Sequence, residues 1–110
     1  MDIARIEWDE NGNIKSKYWY DHDTLYRWDG PAKIKYYKNG NIKEELWAKY
    51  GRSHRKNKPA FICYYENGNK KSEEWYRNGH RNRENGPSEI LYYENGKIKS
   101  ERGYDKLCGS

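Results

Sequence analysis

Apolar and polar residues alternate in short segments that recur along the chain and end at Asn-Gly pairs. Because successive side chains of a β-strand point to opposite faces, such alternation predicts strands with one apolar face. Each copy of the segment places a small residue, an isoleucine and an aromatic ring on that face. We expect these triplets to form the core: Ala4/Ile6/Trp8, Ala32/Ile34/Tyr36, Ala60/Ile62/Tyr64 and Ser88/Ile90/Tyr92.

The segments are joined by turns whose glycines are 28 residues apart, at Gly12, Gly40, Gly68 and Gly96. An Asn-Gly pair between alternating segments indicates a β-hairpin, and we expect type I′ turns because both residues tolerate positive φ. A second turn and a short third segment close each unit. The constant spacing predicts one domain, residues 1–110, built from four repeats. Their expected bounds are 2–29, 30–57, 58–85 and a truncated 86–110.

No segment of useful length shows the 3.6-residue period of an amphipathic helix. We therefore predict an all-β protein, an elongated antiparallel β-meander or solenoid of repeated β-hairpins. An open meander leaves its outer strands without neighbours, so an edge-to-edge homodimer is a further expectation.

Composition decides what can fill the core of such a sheet. The chain has 35% charged residues and a mean hydropathy of −1.50, values that alone are typical of disorder. It also contains 12 Tyr, 5 Trp and 1 Phe, and aromatic rings bury enough area to replace the scarce aliphatic side chains. Their regular placement predicts a folded but thin protein.

Charge and cysteine content narrow the expected partners and location. The net charge is +5, from 22 basic and 17 acidic residues with interleaved signs, which weakly indicates an anionic partner. No apolar run approaches the length of a membrane span or signal-peptide core, so we expect no membrane partner. Cys63 and Cys108 lie at unrelated phases of the repeat, so we do not expect a disulfide between them. Free thiols fit a reducing, cytoplasmic location better.

The fourth copy carries the clearest family motif, Tyr92-Tyr93-Glu94-Asn95-Gly96 followed by a strand rich in Lys and Glu. It resembles the MORN-repeat variant, and the resemblance extends over nearly the whole chain. The resemblance implies a β-hairpin array that serves as a protein-interaction or scaffold module. Similar repeats occur in bacterial antitoxin-like proteins and in proteins of large DNA viruses. Ordinary MORN repeats, some of which associate with membrane lipids, have a shorter unit and a Gly-x-Gly spacing that this chain lacks.

Arginines at one phase of the repeat are the first candidates for contacting a partner. They are Arg27, Arg55 and Arg83. Guanidinium groups bind phosphates and carboxylates, so the row is either a partner site or a set of ion pairs with Glu45, Glu73 and Glu101. The repetition in step with the fold favours ion pairs that join the repeats.

Tryptophans at one phase of the returning strands are the second candidates: Trp19, Trp47 and Trp75. If their rings are exposed, Trp47 and Trp75 would anchor a partner protein or stack against nucleic-acid bases. The scarcity of aliphatic residues favours buried or half-buried rings instead.

The third candidate is the alternate face of the later strands, which becomes apolar along the chain. Its residues are Tyr37, Phe61, Cys63, Tyr65, Leu91 and Tyr93. It is either an exposed patch that binds a partner or a second layer of core where the sheet curls. We take it as the best candidate for a binding surface.

Catalytic and metal chemistry has little support in the sequence. His22, His54 and His80 lie at different phases and near no cysteine pair, so we expect no metal and no cofactor. No Ser-His-acid set, Gly-rich phosphate loop or isolated carboxylate pair stands out, and we expect no enzyme activity.

The sequence therefore supports two functional hypotheses of different classes. The first is a non-enzymatic protein–protein interaction module, such as an inhibitor, antitoxin or immunity-type protein that binds and occludes a partner protein. The alternative is a nucleic-acid-binding protein that uses its Lys, Arg and aromatic rows. The 17 acidic residues spread through the same strands weaken the alternative.

Overall fold

The computed structural model describes residues 3–103. All regular secondary structure in that range is β-strand. The strands are, in chain order, β1 (Ile3–Trp8), β2 (Ile14–Asp21), β3 (Thr24–Leu25), β4 (Lys33–Tyr36), β5 (Ile42–Leu46), β6 (Ala48–Lys49), β7 (Arg52–Ser53), β8 (Phe61–Tyr64), β9 (Lys70–Glu74), β10 (Tyr76–Arg77), β11 (His80–Arg81), β12 (Glu89–Tyr92) and β13 (Ile98–Arg102).

Eight of these strands form an open meander in which each pairs antiparallel with the next: β1, β2, β4, β5, β8, β9, β12 and β13. Strand β3 pairs with β2, and β6–β7 and β10–β11 form two separate ribbons. The Cα extents of 50 × 36 × 17 Å are those of a single layer. The predicted all-β antiparallel meander is confirmed. The domain bounds stay a prediction, and residues 104–110 of the fourth repeat, with Cys108, lie outside the described range.

The core is small and is made mainly of alanine, isoleucine and tryptophan. The buried apolar residues are Ala32, Ala48, Ala60, Ile62, Trp75 and Ile90. The backbone places small residues beside the tryptophans: the backbone N–H of Trp47 donates to the carbonyl of Ala60 at 2.7 Å, and that of Trp75 donates to the carbonyl of Ser88 at 2.9 Å.

A row of isoleucines alternates with glutamates across the centre of the sheet. In register, Ile34 pairs with Glu45, Glu45 with Ile62, Ile62 with Glu73, and Glu73 with Ile90. A half-buried or buried carboxylate is costly unless it accepts hydrogen bonds.

Tyrosines of the following repeat supply those bonds. The hydroxyl of Tyr64 donates to Glu45 at 2.8 Å, and the hydroxyl of Tyr92 donates to Glu73. Lys70 adds an ion pair with Glu73 at 2.9 Å. The aromatic residues therefore serve both as apolar filling and as hydrogen-bond donors.

The first repeat departs from the predicted core. Ile6 is 39% exposed and Trp8 is 58% exposed, so their assignment to the core was wrong. Strand β1 pairs only with β2 among the described strands, and side chains on an outer strand have a neighbour on one side only. The side chain of Ala4, the third member of this triplet, is outside the described part.

The Asn-Gly turns also differ from the prediction. Gly40 donates to the carbonyl of Tyr37 at 3.0 Å, and Tyr37 donates to the carbonyl of Asn41 at 2.8 Å. Only the glycine has positive φ, 91°, so the loop is a type I turn followed by a left-handed residue rather than type I′. The pairing registers shift beside these turns, as between Lys35 and Tyr36, and the extra residue is accommodated there.

The type I′ geometry predicted for the Asn-Gly turns is found instead in the second turn of the second and third repeats. Tyr50 and Gly51 both have positive φ, 52° and 79°, and so do Asn78 and Gly79, 49° and 84°. Positive φ at both central residues defines the type I′ turn.

Neighbouring Asn-Gly turns are joined by side chains that reach the backbone of the next repeat. The hydroxyl of Tyr37 donates to the carbonyl of Tyr64 at 2.6 Å, and that of Tyr65 to the carbonyl of Tyr92 at 2.8 Å. The amide of Asn41 likewise donates to the carbonyl of Glu66 at 2.8 Å. These bonds connect residues 25 to 27 positions apart and hold adjacent repeats in register.

Removing one of these tyrosine hydroxyls should destabilise the sheet. We expect Tyr65→Phe to lower the free energy of unfolding by about 1 kcal/mol, because the carbonyl of Tyr92 loses a half-buried hydrogen bond. Tyr93→Phe is the matched control, since the hydroxyl of Tyr93 has no hydrogen-bond partner within residues 3–103 and its side chain is 51% exposed. Urea unfolding measures both. Equal stabilities of the two variants would contradict the joining role.

Candidate interaction surface

The guanidinium of each arginine in the predicted row lies over the ring of the tryptophan of its own repeat. The guanidinium carbon lies 4.0 Å from the ring centroid for Arg27 on Trp19, and the other two stacks have the same form. Their distances are 3.7 Å for Arg55 on Trp47 and 3.9 Å for Arg83 on Trp75. Stacking of a guanidinium on indole is among the strongest cation–π contacts in proteins.

The same guanidinium groups also hold the proline step that begins the next repeat. Nη1 of Arg27, Arg55 and Arg83 donates to a proline carbonyl four residues later, at 3.1 to 3.2 Å. The acceptors are Pro31, Pro59 and Pro87. The arginine row therefore fixes the path of the chain between repeats.

The ion pairs favoured for the arginine row are not what holds Arg55 and Arg83 in place. Glu45 and Glu73, two of the proposed ion-pair partners, instead accept hydrogen bonds from tyrosines. Burial lowers the pKa of Arg55, while the charge of Glu45 acts in the opposite direction. Arg27 also lies 3.4 Å from the carboxylate of Asp29, at the exposed end of its stack.

The tryptophan row is packed as the sequence favoured. Trp75 is only 7% exposed, whereas Trp19 and Trp47 are half-buried under their arginines. The ring of Trp75 therefore contributes to the core rather than to an open surface. Whether Trp47 or any of these arginines contacts a partner stays a prediction.

The predicted apolar face divides into two structures. Phe61, Cys63 and Leu91 are half-buried on one face of β8 and β12, on either side of Ser72 in β9. Burial raises the pKa of the Cys63 thiol, which keeps it protonated at neutral pH. This strip runs through the centre of the sheet and forms its alternate apolar face.

The tyrosines assigned to that face lie instead at the Asn-Gly turns. Tyr37 and Tyr65 are half-buried and tied to the next repeat, whereas Tyr93 is exposed. Each carries a lysine ammonium near its ring, at 5.7 to 5.8 Å from the centroid. Tyr93 is thus the member of the predicted set with the most accessible ring.

A cluster of exposed aromatic residues, absent from the predicted set, lies where the first two repeats meet. Trp28 is 72% exposed and Tyr50 is 70% exposed. The Tyr50 ring contacts Tyr26 with centroids 5.0 Å apart, and the ammonium of Lys49 lies 4.9 Å from the Trp28 ring. We call Tyr26, Trp28, Lys49 and Tyr50 the aromatic rim.

The rim occupies positions where the other repeats carry polar residues. Trp28 corresponds to Lys56 and Glu84, and Tyr50 corresponds to Asn78. Asparagine suits the left-handed conformation of that turn, whereas an aromatic residue there costs about 1–3 kcal/mol. A comparison of each repeat with the others would have found both residues, because the fold requires neither ring.

Neither histidine nor acidic clusters provide a metal centre in residues 3–103. No group of three or more His, Cys, Asp and Glu side chains in this range is placed to hold an ion. Nδ1 of His54 accepts the N–H of Asn78 at 3.1 Å, which is a contact between repeats. Burial lowers the pKa of His54, with Lys49 and Arg77 adding to the effect.

Comparison with known proteins agrees with the repeat geometry. The family model for the MORN repeat variant matches residues 1–22, 33–46 and 88–106, together half of the chain. The chain belongs to the MORN repeat variant family, whose repeats are non-enzymatic modules that generally bind proteins or membranes. No curated protein and no solved structure gives a significant match. In the part of the chain described, no helix is long and apolar enough to cross a membrane.

Replacing a stacked arginine by lysine should test the stacks. We expect Arg55→Lys to lower the free energy of unfolding by about 1–2 kcal/mol, because lysine cannot lie flat on Trp47 while donating to Pro59. Arg52→Lys, at an exposed position, is the matched control and should change stability by less than about 0.5 kcal/mol. A similar effect of both substitutions in urea unfolding would argue against the stack.

Stability should fall at alkaline pH because the tyrosine–glutamate pairs need neutral phenols. Burial and the hydrogen bond to Glu73 raise the pKa of Tyr92 to about 12, and burial and the hydrogen bond to Glu45 raise the pKa of Tyr64. A raised pKa stabilises the fold below the unfolded value near 10, and this stabilisation is lost as the pH rises through 12.

We therefore expect the free energy of unfolding to fall between about pH 10 and 12, and to fall less steeply in Tyr92→Phe. Urea unfolding across this window measures the slope, with Tyr93→Phe as the exposed control. The same slope in wild type and Tyr92→Phe would show that this pair does not carry the effect.

Proposed function

We propose that this chain is a protein-binding repeat module that occludes a surface of its partner, as an inhibitor, antitoxin or immunity-type protein does. The aromatic rim is the observation that carries the proposal. Trp28 and Tyr50 expose more than two thirds of their surface in positions that the repeat fold does not need to be aromatic. Tryptophan and tyrosine are the residues most enriched in interface hot spots.

The shape of the molecule supports occlusion rather than catalysis. The sheet is 50 Å long but only 17 Å thick, and joined repeats make it a plate rather than a cleft. A plate with exposed rings can cover a partner with little internal rearrangement, which lowers the entropic cost of binding. We further propose that it acts in the cytoplasm, where Cys63 would stay a free thiol.

Nucleic-acid binding receives less support from the same contacts. The arginine row, which would have gripped phosphates, already stacks on tryptophans and donates to proline carbonyls. Several strand lysines and arginines are paired with glutamates, as Lys33 and Lys35 are with Glu44. Binding that persists at physiological salt would revive this alternative.

The test borrows residues from equivalent positions of the other repeats. The double variant Trp28→Lys/Tyr50→Asn carries the residues found at Lys56 and Asn78, so it should stay folded. We expect affinity capture from source cells with wild-type bait to recover a partner that this variant binds at least about tenfold more weakly. Calorimetry with the purified partner measures the affinity, and the activity of that partner with and without the chain tests occlusion.

The matched control is Ile98→Lys, which removes another exposed apolar side chain and carries the residue found at Lys70. It should bind the partner as wild type does. A partner that binds the double variant and wild type equally would exclude the rim, and recovery of no protein at low salt would oppose the proposed function.

A further inference from the structure

The first Asn-Gly turn is not joined to the second in the way that later turns are joined. Asp9 takes the position occupied by Tyr37 and Tyr65 in the next two repeats. Its carboxylate accepts the N–H groups of Asn11 and Asn13 at 2.8 and 3.0 Å, so it folds back on its own turn. Within residues 3–103 no side chain of the first turn donates to the carbonyl of Tyr36 or Lys38.

A groove lies where a tyrosine ring would otherwise lie. It has a volume of about 440 Å³, and its lining combines Trp8, Ile14, Tyr36 and Tyr37 with two acidic residues and three lysines. A second cavity of about 380 Å³ shares much of this lining, including Ile14, Tyr36 and Tyr37. The volume lies within the range of small-ligand sites, and Trp8, Ile14 and the two tyrosines supply the apolar part of the lining.

The later repeats show which side chain fits this position. Between the second and third turns, the ring of Tyr37 lies beside the ammonium of Lys43 and its hydroxyl donates to the carbonyl of Tyr64. Tyr65 repeats the arrangement with Lys71 and the carbonyl of Tyr92. At the groove, Lys15 and the carbonyl of Tyr36 occupy the corresponding positions, without the ring.

We propose that this groove binds a tyrosine side chain presented by a partner protein. The ring packs between Trp8 and Tyr37 near Lys15, and the phenol donates a hydrogen bond to the carbonyl of Tyr36. The lining contains three lysines, Lys15, Lys38 and Lys43, and two acidic residues, Asp9 and Glu10, and this excess of positive charge favours acidic residues beside the tyrosine. Only the source of the tyrosine rests on the proposed function; the chemistry of the groove does not.

The experiment uses blocked tripeptides titrated into the ¹⁵N-labelled full chain and followed by NMR. One peptide carries tyrosine between two glutamates, and the other carries phenylalanine there. We expect saturable shifts confined to amides of the groove, in residues 8–15 and 36–43. The phenylalanine peptide should bind roughly 2- to 10-fold more weakly, because it cannot donate to the carbonyl of Tyr36.

Two variants at one position separate the groove from unspecific binding. Asp9→Tyr supplies the missing ring and should abolish the shifts, whereas Asp9→Asn keeps an acceptor for the turn and should preserve them. Unchanged amide shifts in β8 to β13 establish that each variant is folded. If Asp9→Tyr fails to fold, Trp8→Ala replaces it and should weaken binding several-fold, because the exposed ring forms one wall.

Absent or unsaturable shifts would overturn the proposal, as would equal affinities for the two peptides or undiminished binding to Asp9→Tyr. Partner capture that depends on the aromatic rim, together with a groove that binds neither peptide, would remove this inference and leave the proposed function standing. Binding of the tyrosine peptide without any captured partner would support the groove and oppose the proposed function.

Discussion

The fold depends on contacts between neighbouring repeats, because a single-layer sheet has no second layer to bury its rings. A sheet 17 Å thick must cover aromatic side chains by lateral packing. Arginine stacked on tryptophan covers one side of the ring and orders the proline step. Tyrosine rings also pack between repeats, and their hydroxyls donate hydrogen bonds to glutamates and backbone carbonyls of adjacent repeats. These hydrogen bonds make the contacts between repeats directional. Stability of this kind grows with each added repeat rather than with a central core.

Because the fold depends on contacts between repeats, residues that depart from the repeat pattern indicate surfaces that the fold itself does not use. Where a position follows the pattern, its residue has a partner in the next unit and a structural task. Trp28, Tyr50 and Asp9 break the pattern, and each leaves something uncovered: two exposed rings and one open groove. All three lie in the first two repeats, so the proposed surfaces concentrate at one end of the sheet.

The candidate site was harder to predict than the fold. Periodicity placed Arg55, Trp47 and Tyr65 at repeating positions, but it could not tell which of them would meet one another. The arginine–tryptophan pairs join residues eight apart along the chain, and the chain must pass through the second turn to bring them together. The repeat pattern does not predict Trp28, because the equivalent positions of the next two repeats are Lys56 and Glu84.

The sequence by itself determined the all-β class, the order of the hairpins and the positions of the turns. These depend on local rules: side chains alternate along a strand, and glycine and asparagine permit positive φ. Only the tertiary structure decided the turn type, the exposure of Ile6 and Trp8, and the partner of every arginine and tyrosine. Those outcomes depend on which strands become neighbours and which strand is outermost, and side-chain alternation is identical in a central strand and an edge strand.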